Sequence, residues 1–383
     1  MDRIEKYSKY LFFILFTVLT ATSIHRTINN DMDFLAFHRT ALMFLNGNFD
    51  FYNILRDKVF TFKYGPIFPL LIFPLGYLSL GVAKIVWAFI NAASLAVAWA
   101  YSERLIRLSR PEINITYPAR LLTLIMVLDI VSRNAMQGNI NVILFTLMII
   151  SVVWSLEAKN KRSALLAAIT ASIKITPGIL LIFFWVSKNK KTFWYSAIFC
   201  TVFFILMPLV IFGFENSYNM YMSWLHVLQD IDHFPFYKHT NQSPTAVMFH
   251  ITGTNRFSLP ATLAFASACI LYINHFYLKN DRFGIFTGCM LAYLSISPII
   301  WIEYNIVMLP VLLIISSMLF QKMLSRTSIT LFAIRFIIVH LLVTAIVGEK
   351  LGIATAMLGQ HLIGAWICGV IILLSSNLRT ESL

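Results

Sequence analysis

Long apolar runs recur along the chain, each near the roughly 20 residues that a helix needs to cross the hydrocarbon core of a bilayer. The pattern predicts spans near residues 10–28, 82–103, 121–136, 140–157, 192–213, 259–278, 283–301, 303–320, 328–347 and 352–375. Two stretches break it. Residues 163–187 are apolar but interrupted by Lys174 and Pro177, which predicts two short helices turning within the membrane. Residues 66–80 carry three prolines and are short for a span, so a buried or interfacial hairpin arm is expected, because irregular backbone at membrane depth must be shielded by protein. The expectation is an all-α polytopic membrane protein with about twelve helices, some short or re-entrant. It forms a single membrane domain over 1–383, with larger outer-face loops near 29–65 and 214–258. The first run is long and lacks a small-residue cleavage site, so it reads as a span and not as a cleaved signal peptide.

Composition supports a bilayer as the solvent. Of 383 residues, 58% are hydrophobic and 12% charged, against roughly 25% charged in soluble domains. This excludes a soluble enzyme, a disordered regulator and a nucleic-acid-binding domain, despite the net charge of +13. With both termini placed in the cytoplasm, that side holds about twice as many cations as the other, as the positive-inside rule requires. The basic balance is then mostly topology. Cys200, Cys269, Cys289 and Cys368 lie in apolar runs without CxxC spacing and read as packing residues.

The polar material gathers on the non-cytoplasmic face. Asp31 and Asp33 open a stretch with apolar residues at Phe34, Phe37, Ala41, Phe44 and Leu45, a helical stripe that Gly47 is placed to end. It reads as an amphipathic helix on the outer membrane surface. The two aspartates are helix caps or, for Asp33, a catalytic base. Lys63-Tyr64-Gly65-Pro66 reads as a turn. Asn134, Gln137, Gly138, Asn139 and Asn141 put an unusual number of amides between two spans. The second loop carries His233, Lys238, His239, Asn241, Gln242 and Ser243, for which a solvated loop is the bland reading. Glu303, in Ser297-Pro298-Ile299-Ile300-Trp301-Ile302-Glu303, sits where a carboxylate is costly unless paired or facing a wet cavity.

In this order the motifs resemble glycosyltransferase family 87, polytopic C-type (GT-C fold) transferases that include polyprenyl-phosphate-mannose-dependent α-mannosyltransferases. The resemblance runs from about residue 30 to 310. It rests on Asp33-Phe34, Phe37, Gly47 and Tyr52; on Tyr64-Gly65-Pro66; on Gln137-Gly138-Asn139; on Ile173-Lys174 with Pro177 and Gly178; on Asn241-Gln242-Ser243; and on Ser297-Pro298 with Trp301. The last motif departs from the family pattern: Ile300 replaces a Ser, and Glu303-Tyr304 stand where many members have His.

The resemblance implies transfer of a sugar, mannose before others, from a polyprenyl-phosphate donor to an acceptor hydroxyl on the non-cytoplasmic face of the plasma membrane. Asp33 would be the general base of an inverting reaction. Arg39, Lys63, Lys238, His239 and Arg256 are candidates for the donor phosphate. Tyr64, Asn139, Asn241, Gln242, Trp301 and Glu303 are candidates to border or orient the sugar. No metal or cofactor is implied beyond the donor itself, although Asp31-Met32-Asp33 spells D-x-D. The partners would be membrane lipids, the lipid-linked donor and a glycolipid or glycan acceptor. Two other classes stay open at this point: a transporter or flippase of lipid-linked sugars, suggested by the interruption at Lys174, and a non-catalytic assembly subunit.

Overall fold

The computed structural model describes residues 2–30, 32–53, 62–229, 241–341, 353–354 and 356–377. Among the described residues the regular structure is helical, with no strand. Five helices there are long and apolar enough to cross a membrane: Arg3–Asn29, Leu80–Ser109, Lys190–Gln229, Ser258–Leu278 and Ile302–Phe320. Other segments read as spans form shorter apolar helices, such as Asn141–Leu156, Arg282–Ile296 and Gln360–Ser376. The 283–301 expectation ends early, at Ile296, because Pro298 pushes Ser297 into an extended conformation (φ −69°, ψ 136°).

The chain separates into two compact units, each assembled from distant segments. One comprises residues 1–19, 99–130 and 236–383; the other comprises residues 20–98 and 131–235. In the first, the Ser258–Leu278 helix pairs with Arg282–Ile296, which also packs on Gln360–Asn377. The glycines allow this close pairing: a Cβ on Gly284 would strike the Phe276 ring, and one on Gly288 the side chains of Ile273 and Tyr272. The polar ends of this unit are tied by ion pairs. Glu103 takes Arg107 at 2.6 Å and Arg120 at 2.7 Å, and Arg110 pairs with Asp281. Cations counted as orientation signals thus also carry structural bonds.

In the second unit, Asn160–Ile173 packs between Asn141–Leu156 and Lys190–Thr201. The 163–187 stretch breaks as expected. The helix stops at Ile173, Lys174 is extended (φ −147°, ψ 133°), and Ile179–Val186 resumes after a 3-10 turn at Thr176–Gly178. Residues 66–80 also form short pieces, Phe68–Ile72 and Phe73–Tyr77.

The Met32–Leu45 helix forms where its stripe predicted, and Gly47 turns left-handed after it (φ +65°). Its apolar face, however, packs into protein. Phe34, Phe37 and Ala41 are buried in a core with Phe51, Tyr52, Phe68, Trp87, Ile140, Phe212 and Trp224. The bilayer is unnecessary as its partner because the proline-rich 68–77 segment lies against it.

Most of 214–229, read as loop, is helix. The Met207–Gln229 run breaks at Gly213 (φ 76°, ψ 170°) and continues. Its buried residues Ser217, Met220, Trp224 and Val227 fall at helical spacing.

Candidate active site

Asp33 lies in the first turn of its helix, where a carboxylate is favoured by the helix dipole. Its hydrogen bond reaches another segment: Asn139 Nδ2 donates to Asp33 Oδ2 at 2.6 Å. Asn139 is buried, at the turn between the Tyr117–Gln137 and Asn141–Leu156 helices. That turn is fixed from several sides. Asn134 and Asn139 exchange backbone and side-chain bonds at 3.0 and 3.3 Å, and Asn134 also donates to Asn91 Oδ1 at 3.2 Å. Trp87 Nε1 donates to Gly138 O at 2.8 Å while its ring lies 5.6 Å from that of Phe34. Gly138 has φ +62°, and a Cβ there would sit 2.8 Å from Cβ of Phe34. Only glycine lets the amide turn approach the Asp33-Phe34 backbone this closely.

The network continues from Asn139 to a lysine. Asn139 Oδ1 accepts from the Asn141 N–H at 3.2 Å, and Lys174 Nζ donates to Asn141 Oδ1 at 3.1 Å. Lys63 converges on the same region because Gly65 N–H donates to Ile173 O at 2.9 Å, beside Lys174. A side chain on Gly65 would collide with the Ser172 carbonyl. Trp224 Nε1 holds Lys63 O at 3.0 Å, and the Tyr64 ring packs edge-on to Phe37 at 5.1 Å. Burial raises the Asp33 carboxyl above its ordinary pKa of 3.8, and the positive charges of Lys63 and Lys174 pull part of that back. The outcome is a poised carboxyl, more basic than a surface aspartate, with cations in reach of its field. Lys174, noticed in the sequence as a helix breaker, belongs to this centre. A lysine in an apolar run is costly unless it serves a polar site, and that cost was its signal.

The other candidates sit differently. Arg39 is half-buried on the Asp33 helix. Lys238 and His239 lie outside the described residues, as does Asp31. Arg256 is exposed on a short 3-10 turn of the first unit.

Asn241, Gln242 and Ser243 are fully buried in that first unit. A solvated loop was the bland expectation here. Instead Asn241 Oδ1 accepts from the N–H groups of Ser243 (3.1 Å) and Ile300 (3.0 Å), and its Nδ2 donates to Pro298 O at 3.2 Å. Gln242 Nε2 donates to Ala356 O at 3.0 Å, and its Oε1 accepts from His361 N–H at 3.2 Å. Ser243 caps the following helix through Ala246 N–H and donates to Pro298 O at 2.7 Å. These side chains lock the 298–300 backbone, which leads directly to half-buried Trp301 and buried Glu303 on the Ile302–Met308 turn.

Helical structure throughout the described residues, several helices long and apolar enough to cross a membrane, and a centre of half-buried Asp33, buried Asn139 and Asn141 and half-buried Lys174 define a membrane protein with a built polar site. The family model for glycosyltransferase family 87 matches residues 60–298, more than half of the chain, and the protein belongs to that family. It is therefore a membrane glycosyltransferase. The matched segment holds Lys63, Asn139, Asn141, Lys174 and the Asn-Gln-Ser turn; Asp33 precedes it, and Trp301 and Glu303 follow it. A comparison of the sequence with curated proteins finds no match.

Proposed function

We propose that the protein transfers a sugar, mannose in the first instance, from a polyprenyl-phosphate donor to an acceptor hydroxyl, with inversion at the anomeric carbon. The acceptor oxygen attacks that carbon, the bond to the donor phosphate breaks, and the acceptor proton passes to Asp33. An inverting transfer needs a single base near the hydroxyl, and a base works best with a pKa lifted toward the operating pH. The observation that carries this reading is the Asn139 hydrogen bond to Asp33 Oδ2, in a site where burial raises the carboxyl. The bond fixes one carboxylate oxygen and so orients the other, Oδ1, as the proton acceptor.

Negative charge grows on the departing phosphate, where preorganised cations lower the barrier. Lys174, bonded to Asn141 at 3.1 Å, and Lys63, brought to the same region by the Gly65–Ile173 bond, are assigned this role, with Arg39 on the Asp33 helix as a further candidate. Tyr64 borders the sugar. In the first unit, Asn241 and Gln242 act as positioning residues for the backbone that leads to Trp301 and Glu303. No metal or cofactor enters the proposed step. The site faces the non-cytoplasmic side of the plasma membrane in this reading, where nucleotide sugars are absent and a lipid-borne donor supplies the sugar.

The reading is tested by incubating purified protein in detergent with a panel of polyprenyl-phosphate sugars and a membrane lipid extract. A glycosylated lipid of inverted anomeric configuration, identified by mass and NMR, is the expected product. Detergent removes the second compartment, so product formation also separates this reading from a flippase. No product from any donor would overturn it.

A further inference from the structure

The helix that ends at Gln229 changes its surroundings at Gly213. Residues 190–212 rise about 34 Å, enough to cross the roughly 30 Å hydrocarbon core. They expose large apolar side chains, Trp194, Ile198, Ile205 and Val210 among them, as a helix in lipid does. The chain therefore reaches the membrane boundary opposite Lys190 near Gly213, where non-helical backbone (φ 76°, ψ 170°) breaks the helix. It does not run straight on. Tyr221 OH donates to Phe204 O, 17 residues back, and on one straight helix such residues lie about 25 Å apart along the axis. The second arm folds back from Gly213 toward the first and so stays at the boundary.

That arm has three sides. Ser217, Met220, Trp224 and Val227 are buried, and Trp224 Nε1 ties this side to Lys63 O at 3.0 Å. Glu215, Asn216, Asn219 and His226 are exposed and polar. Phe214, Tyr218, Met222 and Leu225 are exposed and apolar, Phe214 by 78% and Tyr218 by 58%. At about 100° per residue the three sets centre roughly 120° apart. A helix on a water-facing surface needs an apolar side for the core and a polar side for water; a third, exposed apolar side has no partner there. A helix crossing the bilayer would put the polar side in lipid, at a cost. Both exposed sides are satisfied together in the interfacial zone, where an amphipathic helix buries one face among acyl chains and keeps the other in water. Phe214 also follows the exposed Leu209, Val210 and Ile211 directly in the chain, so bilayer is the apolar phase next to it. We infer that the 214–229 helix is a membrane-docking surface whose Phe214, Tyr218, Met222 and Leu225 insert among phospholipid chains at the boundary beside Gly213. The inference does not use the transfer reading above.

Photocrosslinking in the full-length protein tests it. Benzoylphenylalanine replaces Phe214, Tyr218, Met222 or Leu225 singly, or Asn219 or His226 as controls, and each protein is irradiated in phosphatidylcholine vesicles. Mass spectrometry should find phospholipid adducts from the apolar positions and none above background from the polar ones. Spin labels give a second measurement, which decides the matter where a photoreactive protein does not fold. They are placed on Phe214→Cys, Met222→Cys, Asn219→Cys and His226→Cys in a Cys200→Ser background, since Cys269, Cys289 and Cys368 are buried. Oxygen should relax the labels at 214 and 222 several-fold more than a water-soluble nickel chelate does, and the order should reverse at 219 and 226. The inference is overturned if the apolar positions give no lipid adduct or crosslink to a second copy of the chain instead. It is equally overturned if apolar and polar positions give equal adducts, or if nickel reaches labels at 214 and 222 as freely as oxygen does.

Discussion

The Asp33 centre and the Asn-Gln-Ser turn are both polar and largely enclosed, yet they spend their polar groups in opposite ways. At the turn, Asn241 and Gln242 are saturated by backbone partners from 298–300, Ala356 and His361. Buried amides paired in this manner fix one conformation, and losing a partner leaves backbone groups stranded. At Asp33, one carboxylate oxygen is held by Asn139 while burial and two lysines pull the acid in opposing directions. The first arrangement gives rigidity; the second, in the proposed reaction, keeps a group ready to exchange a proton. Sequence motifs of equal prominence can therefore mark a scaffold in one place and, on the proposed function, chemistry in another.

Substitutions should separate the two. The largest effect is expected from Asp33→Ala, which should lower turnover by about 10²–10⁴-fold, the usual contribution of a general base, with the melting temperature held. Gln242→Leu should do the converse. It strands the Ala356 carbonyl and the His361 N–H, at roughly 1–3 kcal/mol for each buried group left unpaired, read as a fall in melting temperature. Gly138→Ala should cost about 1–2 kcal/mol from its left-handed backbone alone. Because the new Cβ presses on Phe34, it should also lower turnover by moving Asn139 off Asp33. Equal stability and full activity in that variant would remove the amide turn from the account.

The pH dependence sharpens the comparison further. As the proposed base Asp33 must be ionised to act, and its pKa is raised in the folded protein, so the acid limb of the rate profile should lie above that of an ordinary carboxylate. Lys174→Met removes a charge that lowers this pKa and should move the limb to higher pH; a limb that stays put would break the link between Lys174 and Asp33. The sign for stability is the reverse of a salt-bridged aspartate. The folded state holds the Asp33 proton more tightly, so this contribution is full below pH 3.8 and is lost as pH rises through the folded value. The smallest effect is expected for Tyr52→Phe, which removes the 2.7 Å bond from Tyr52 OH to Tyr64 O and should cost about 1 kcal/mol.

Much of this was legible in the sequence, where local rules govern. The Phe34–Phe37–Ala41 stripe announced its helix, Gly47 its end, and Lys174 with Pro177 the interruption. The excess of amides around Gly138 announced a site without saying what it faced. That required knowing that the turn folds against Phe34, a contact more than 100 residues apart in sequence that Gly138 permits but no spacing encodes. The 214–229 helix was missed because Asn216, Ser217 and Asn219 are poor helix formers. The stripe of Ser217, Met220, Trp224 and Val227 was there to be read. The Asn-Gln-Ser turn looked solvated because polar residues usually are; its burial depends on backbone partners 55 to 119 residues away.

The central claim is that Asp33 takes the acceptor proton. Asp33→Asn tests it most directly, since it keeps the shape of the side chain and removes the base. With synthetic polyprenyl-phosphate mannose and a lipid extract, the purified variant should melt within a degree or so of wild type and transfer at least about 100-fold more slowly. Near-normal transfer by the folded Asp33→Asn protein would contradict the account.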